Sequence, residues 1–229
     1  MSRRAGPAVA VDQQPAARSG RDPSTVSVVM VVYMTGEALQ RSLACVLADP
    51  QVDEFVIVDN GSSPSEAAQL AEAARSDPRV VLISGQGNVG FSRGANLGAR
   101  TAKGGYLLFL NPDAFLQRGC VAELTREVAR HPDLCLVGGR VLNADRTEQR
   151  GARRGDITLF SALMSLSRLA HAVPSWKRFE VHWEDEAAPA QAAEVPVISG
   201  ACFCMRAGDF AAMGGFDEGY FLHVEDVDL

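Results

Sequence analysis

From residue 26 onward the chain alternates between two hydrophobic rhythms. Residues 26–33 are β-branched and almost continuously apolar, the pattern of a strand buried on both faces. Leu39, Leu43 and Leu47 then recur on one helical face across residues 37–48, and residues 55–59 form a second apolar run. Ser63-Pro64-Ser65-Glu66 combines a Ser N-cap, Pro at the first helical position and Glu at the third, which predicts a helix to about residue 75. A third strand is predicted at 80–83, then a glycine-rich loop and a helix over about 92–103, with Gly104-Gly105 as its stop. A fourth strand over 106–110 is broken by Asn111-Pro-Asp-Ala114. Val121, Leu124 and Val128 share one face of a helix that ends near His131-Pro132, and extended structure resumes over 134–142.

The rest of the chain has a weaker rhythm. Residues 157–173 fit an amphipathic helix whose Arg168 and His171 favour packing on the domain over membrane insertion. Trp176, Trp183 and the acidic run Glu184-Asp185-Glu186 fall in a loop, the run being a solvated surface. Residues 195–205 read as another strand, and Gly214-Gly215 closes a short helix. Repeated strand–helix units with short links imply an α/β domain with a mostly parallel sheet covered by helices. The ligand crevice of such a sheet lies beyond the carboxyl ends of its strands. Asp59, residues 84–90 and residues 111–113 all fall there, so one shared site is expected.

Composition narrows the class. With 229 residues, 47% apolar and 22% charged, the chain is long enough for one such domain with a full core. Residues 1–25 lack hydrophobic periodicity and any apolar signal segment, so a disordered tail is expected there, with the domain over 26–229. The net charge of -6, with both signs dispersed, gives no basic stripe for nucleic acid. No run approaches the roughly 18 apolar residues of a membrane span. The five cysteines are odd in number and lack a C-x-x-C pair. They read as reduced core thiols of a cytoplasmic protein, with Cys202 and Cys204 on the same strand face.

Four pieces of sequence, taken in order, carry a family resemblance. They are Val28-Val-Met-Val-Val-Tyr33; Ile57-Val-Asp-Asn-Gly-Ser62; Asn88-Val-Gly-Phe-Ser-Arg-Gly-Ala-Asn-Leu-Gly98 with Asn111-Pro-Asp-Ala114; and Gly214-Gly-Phe-Asp-Glu218 with Phe221-Leu-His-Val-Glu-Asp-Val-Asp-Leu229. Together they resemble inverting family 2 glycosyltransferases, especially the branch of bacterial rhamnosyltransferases. The resemblance implies a GT-A, Rossmann-like three-layer fold. It also implies a nucleotide-diphospho-sugar donor, UDP- or dTDP-linked, and a cell-envelope glycan or lipid-linked acceptor. The setting it implies is cytoplasmic, at the inner face of the plasma membrane, with peripheral membrane association left open. Relatives continue past the point matched by Leu229, so the domain is expected to be incomplete at its C-terminus.

The same resemblance suggests roles for individual residues. In the turn of Asp59 and Asn60 a side-chain oxygen can accept the N3–H of uracil or thymine, and either residue can supply it. Tyr33 either lies against the base or is a strand-end core aromatic; Met34 stands where relatives usually have Asn. Asn88, Gly90, Arg93 and Asn96 bring a helix N-terminus near a diphosphate. Arg93 is a phosphate contact or a solvated surface residue, and Asn96 touches donor or ties loops together. Asn111-Pro-Asp113 occupies the place of the family's D-x-D motif. Asp113 is the expected ligand of Mg²⁺ or Mn²⁺, and Asn111 replaces the first acid. Glu225-Asp226 resembles the catalytic acidic pair, with Asp226 the general base, Glu225 second, and Asp228 orienting them or capping a helix. Gly200, Ala201 and Asp217 match positions on the acceptor side.

Rival readings are weaker. Gly85-Gln-Gly-Asn-Val-Gly90 matches a dinucleotide fingerprint, yet it follows the third strand, and the next strand ends in Asn-Pro-Asp in place of a lone ribose-binding acid. A sugar-phosphate nucleotidyltransferase normally has a basic glycine-rich loop after its first strand. Residues 33–37 here contain no Lys or Arg. A non-catalytic nucleotide-sugar-binding domain is the third rival.

Overall fold

A computed structural model describes residues 21–149, 152–154 and 191–219. Its elements are β1 (Asp22–Val32), α1 (Ala38–Leu47), β2 (Glu54–Asp59), α2 (Pro64–Ser76), β3 (Val80–Ile83), α3 (Phe91–Thr101), β4 (Gly104–Leu110), α4 (Cys120–Arg130), β5 (Val137–Gly138), β6 (Arg153–Arg154), β7 (Val197–Ile198), β8 (Cys202–Arg206) and, following it, α5 (Ala207–Ala212). Six strands form one sheet in the order β3-β2-β1-β4-β8-β5, and β6 pairs with β7 in a separate ribbon. Strands β1 to β4 pair in parallel, whereas β8 runs antiparallel to both β4 and β5. The expected α/β architecture with a mostly parallel sheet is therefore observed.

The continuous apolar run of β1 is explained by burial on both faces. Val28, Met30 and Val32 face a layer containing Leu39 and Leu43 of α1, Leu70 of α2, and Val121, Leu124 and Val128 of α4. Val29 and Val31 face the other way, with Ala95 and Ala99 of α3 and the phenylalanines Phe109, Phe203, Phe210 and Phe216. Successive strand residues point to opposite faces, so alternate valines serve alternate layers. Cys202 and Cys204 share the first layer, as their spacing predicted. Burial pushes the Cys204 thiol up to about 12, which keeps it protonated.

Three sequence expectations change. Residues 22–25, assigned to the tail, are strand: Asp22 pairs with Gly104 across a register shift in β1. Gly104 and Gly105 open β4 and do not merely stop α3. A Cβ on Gly104 would lie 2.7 Å from Ser27 N, and one on Gly105 2.5 Å from Pro23 Cα, so only glycine permits this approach. The predicted strands at 134–142 and 195–205 shrink to β5, and to β7 and β8 separated at Gly200-Ala201. The predicted helix at 157–173, the two tryptophans and the acidic run at 184–186 lie outside the described residues. No helix among the described residues is long and apolar enough to cross a membrane.

Candidate functional site

The chain runs outward from β1 through β2 to β3, then crosses back to β4 on the other side of β1. The helices of the β1–β2–β3 connections and of the β3–β4 crossover lie on opposite faces of the sheet, so the strand order reverses beside β1, where a crevice forms at the carboxyl ends of the strands. Tyr33, Asp59, Asn88 and Asp113 stand on the four loops that leave those ends.

Hydrogen bonds draw three of the loops together. Asn60 donates its backbone N–H to the Val32 carbonyl at 2.8 Å and its side-chain amide to the Gly90 carbonyl at 2.9 Å. Gln86 donates its side-chain amide to the Asp59 carbonyl at 2.7 Å. Asp59 Oδ1 accepts from the N–H groups of Gly61 and Ser62, closing the turn after β2. Asn88 Oδ1 accepts from the Gly90 N–H, which starts α3 at a glycine with φ +84°. Tyr33 is 52% exposed, so it is not a core aromatic. Its ring passes over Gly61, where an added Cβ would lie 3.8 Å from the ring edge and 3.9 Å from Asn88 N.

The fourth loop is held separately. Ala114 N–H bonds back to the Asn111 carbonyl at 3.1 Å, so Asn111-Pro-Asp-Ala114 is a turn. Ser42 of α1 donates to the Ala114 carbonyl at 2.7 Å, and the Arg41 guanidinium sits 4.3 Å from the centre of the Phe115 ring. Asn111 donates its N–H to the Ala201 carbonyl at 2.9 Å, which brings the Gly200-Ala201 break beside the end of β4. Asp113 is exposed, and no hydrogen bond or ion pair engages its carboxylate among the described residues. No group of three metal-binding side chains occurs among those residues. One open carboxylate in a turn still suits Mg²⁺ or Mn²⁺, which takes further oxygen ligands from phosphates and water.

Buried polar atoms mark the same crevice. Thr35 Oγ1, Asn60 Oδ1, Ser62 Oγ, Gln86 Oε1 and Ser92 Oγ are buried without a partner. They account for five of the seven such side-chain atoms among the described residues, and all five lie on the β1, β2 and β3 loops or the first turn of α3. Folded proteins pair nearly all buried polar groups, so this concentration marks a place that the described residues alone do not satisfy. The first turn of α3 has no side-chain cap, leaving its N–H groups without a side-chain acceptor.

Other expected donor residues serve the fold. Asn96 is 5% exposed and spends its amide on the segment after α5. It donates to the Phe216 carbonyl at 2.9 Å and to Glu218 at 3.1 Å, and accepts from the Phe216 N–H at 3.0 Å. It is a loop tie. Arg93 is 59% exposed and sits 3.5 Å from the Glu218 carboxylate, which gives that cation a protein partner. Gly94 and Gly98 let α3 lie close to the sheet: a Cβ on Gly98 would be 2.5 Å from Val29 Cγ1. Asp217 Oδ1 accepts from the Gly219 N–H and is exposed. Glu225, Asp226 and Asp228 lie outside the described residues. The dinucleotide-like glycines follow β3, an edge strand, and not the central β1. Gln86, Ser62 and Ser92 lie within the quoted motifs but took no role from them, and nothing in the sequence signalled that Glu66 Oε1 accepts from the Gly36 N–H beyond its cap.

Comparison with known proteins gives the family and the fold. Residues 27–213 match the family model described as glycosyl transferase family 2. The N-acetylglucosaminyl-diphospho-decaprenol L-rhamnosyltransferase of Mycobacterium tuberculosis is 28% identical over 221 residues, covering 88% of this chain and 68% of that protein. A low-salt glycan biosynthesis hexosyltransferase of Haloferax volcanii is 25% identical over 208 residues, covering 89% of this chain and 60% of that one. Among solved structures, a mannosyltransferase from Pyrobaculum calidifontis in complex with GDP-Man and Mn²⁺ superposes with a TM-score of 0.61 at 16% identity, covering 91% of this chain and 52% of the other. S. aureus TarS 1-349 gives 0.54 at 16% identity, covering 89% and 53%. These neighbours establish the GT-A fold, and the chain spans about half the length of each.

Proposed function

The chain belongs to glycosyl transferase family 2, and from that membership we propose that it transfers a sugar, with inversion, from a UDP- or dTDP-linked donor to a cell-envelope glycan or lipid-linked acceptor. The observation that carries this reading is the cluster of unpartnered buried polar atoms at the β1–β3 loops, beside an uncapped helix N-terminus and an open carboxylate. Rhamnose is the leading donor sugar because the mycobacterial relative is a rhamnosyltransferase acting on a decaprenol-linked substrate. A lipid-linked acceptor would bring the protein to the inner face of the plasma membrane.

In this reading Tyr33 stacks on the pyrimidine. The base N3–H is taken by a side-chain oxygen of the Asp59–Asn60 turn. Asn60 Oδ1, buried and unpartnered, is available for it, while Asp59 Oδ1 is occupied by the turn. The N–H groups at the start of α3 favour the negative diphosphate. Asp113 would hold Mg²⁺ or Mn²⁺, whose charge offsets that of the departing nucleoside diphosphate. Asp226, assisted by Glu225, takes the proton from the acceptor hydroxyl. The hydroxyl oxygen bonds to the anomeric carbon from the face opposite the diphosphate, whose bond to that carbon breaks. Gly200, Ala201 and Asp217 lie on the acceptor side.

The test is Asp226→Asn, assayed for sugar transfer and, separately, for UDP and dTDP binding with Mn²⁺. The expected result is loss of transfer by roughly a thousandfold or more, within the range for removal of a general base, with nucleotide affinity kept. Wild-type turnover in the variant would remove Asp226 from the mechanism. A wild-type chain that binds nucleotide but transfers nothing would indicate a non-catalytic binding domain.

A further inference from the structure

Glu66 completes the cap of α2, and the structure gives its carboxylate a second set of partners in another loop. The residue is 4% exposed. Oε2 accepts from the Ser63 N–H at 2.9 Å and from the Ser63 hydroxyl at 2.7 Å. Oε1 reaches across to the β1–α1 loop, where the Gly36 N–H donates to it at 2.8 Å. One buried carboxylate thus joins the first turn of α2 to the loop that follows Tyr33.

That loop needs an external hold. Met34 has φ +48° and Gly36 φ +77°, so two of three successive residues adopt left-handed backbone. Glycine does this freely. Methionine does not, and persists there only where the surroundings fix the turn. Met34 is itself 60% exposed, so packing of its own side chain does not supply the restraint. The hydrogen bond from Gly36 to Glu66 does. Tyr33 stands immediately before this turn, with its ring over Gly61.

We propose that Glu66 is a positioning residue for the nucleotide site: by locking the turn at 34–36 it sets the angle at which the Tyr33 ring faces the pyrimidine base of a nucleoside diphosphate. The inference rests on the donor site described above, and it assigns to Glu66 a part in ligand affinity that a helix cap alone does not have. Because Met34 carries the strain, replacing it with a residue that tolerates left-handed backbone removes the need for the hold.

The experiment is calorimetric titration of UDP and dTDP, with Mn²⁺, into the wild-type chain, Glu66→Gln, Ser63→Ala and the double variant Glu66→Gln/Met34→Asn. Glu66→Gln presents an amide where two N–H donors converge, and is expected to weaken binding by roughly tenfold, equivalent to about 1.4 kcal/mol. Ser63→Ala removes the cap but leaves the link to Gly36, so it lowers Tm while Kd stays within about twofold. Met34→Asn restores most of the affinity lost in Glu66→Gln, because Asn adopts positive φ readily. A folded Glu66→Gln that binds like wild type overturns the inference alone, as does an equal loss in Ser63→Ala or no rescue by Met34→Asn. If circular dichroism shows Glu66→Gln unfolded, Glu66→Asp takes its place. It keeps the charge at the helix start but is too short to span from Ser63 to Gly36, and wild-type affinity there overturns the inference. A wild-type chain that binds neither nucleotide overturns the donor-site reading itself.

Discussion

Asp113 is the site residue whose role separates most cleanly by one measurement. Its carboxylate faces solvent at the end of β4 with no protein cation beside it among the described residues. A side chain serving only the turn contributes little to ligand affinity, because the turn is closed by the Ala114–Asn111 backbone bond. Asp113→Ala is therefore expected to weaken UDP or dTDP binding by about tenfold or more in Mn²⁺ and by little in chelator, a difference that titration under both conditions measures. At this scale the sequence was informative where chemistry is local. The Asp59–Asn60 turn, the Asn-Pro-Asp turn and the Ser63–Glu66 cap can each be read within four residues. It was blind where partners are remote: Asn96 meets Phe216 across 120 positions, and Glu66 meets Gly36 across 30. Tyr33 was ambiguous because an aromatic at a strand end looks the same whether its ring turns inward or out.

Among the elements, α3 packs most closely on the sheet, and glycine is the reason. Gly98→Ala would place a methyl 2.5 Å from Val29 Cγ1 and 3.3 Å from Val58 Cγ2. Overpacking of this kind costs about 1–3 kcal/mol, which outweighs the roughly 1 kcal/mol that Ala gains over Gly in a helix. The variant should melt several degrees lower, whereas Gly208→Ala in α5, with nothing within 4 Å of the added carbon, should not. A second inter-element device is the clasp of Arg79. Its guanidinium donates to the carbonyls of Leu47 at the end of α1 and Val52 before β2, and to the Asp77 carboxylate after α2. The Arg79 side chain, together with the Arg79 backbone N–H, lowers the Asp77 pKa from 3.8 to about 2. A depressed carboxylate contributes stability above its unfolded value and loses it as pH falls through the folded one. Stability should thus decline from about pH 4 toward about pH 2. Arg79→Met should lower stability by about 2–3 kcal/mol near neutrality and flatten that acid slope, both visible in Tm measured against pH. Element type and order were legible from periodicity, and the α2 cap matched bond for bond. Gly104-Gly105 was misread because glycine after a helix signals a stop, while its clearance against Ser27 and Pro23 depends on strands distant in sequence.

On the scale of the whole molecule, the helix layers and the mostly parallel sheet followed from the alternation of patterns. The placement of β1 at the centre did not, because strand order depends on which faces meet. One tie crosses from the donor half to the segment that precedes Glu225 and Asp226 in sequence: Asn96 to Phe216 and Glu218. Asn96→Ala would leave the buried Phe216 N–H and carbonyl unpaired, at about 2–3 kcal/mol. It is expected to lower Tm and to reduce turnover more than nucleotide affinity, a split that parallel kinetics and titration resolve. The antiparallel entry of β8 has a broader consequence. In the proposed reading residues 22–113 supply the nucleotide side of the crevice; the chain then leaves the sheet after β5 and returns through Gly200-Ala201 beside the end of β4. The sheet fixes only the two points of departure and return. Under the proposed reading, the stretch between them is free to change in length and sequence, and with it the molecule to be decorated, without disturbing the grip on the activated sugar.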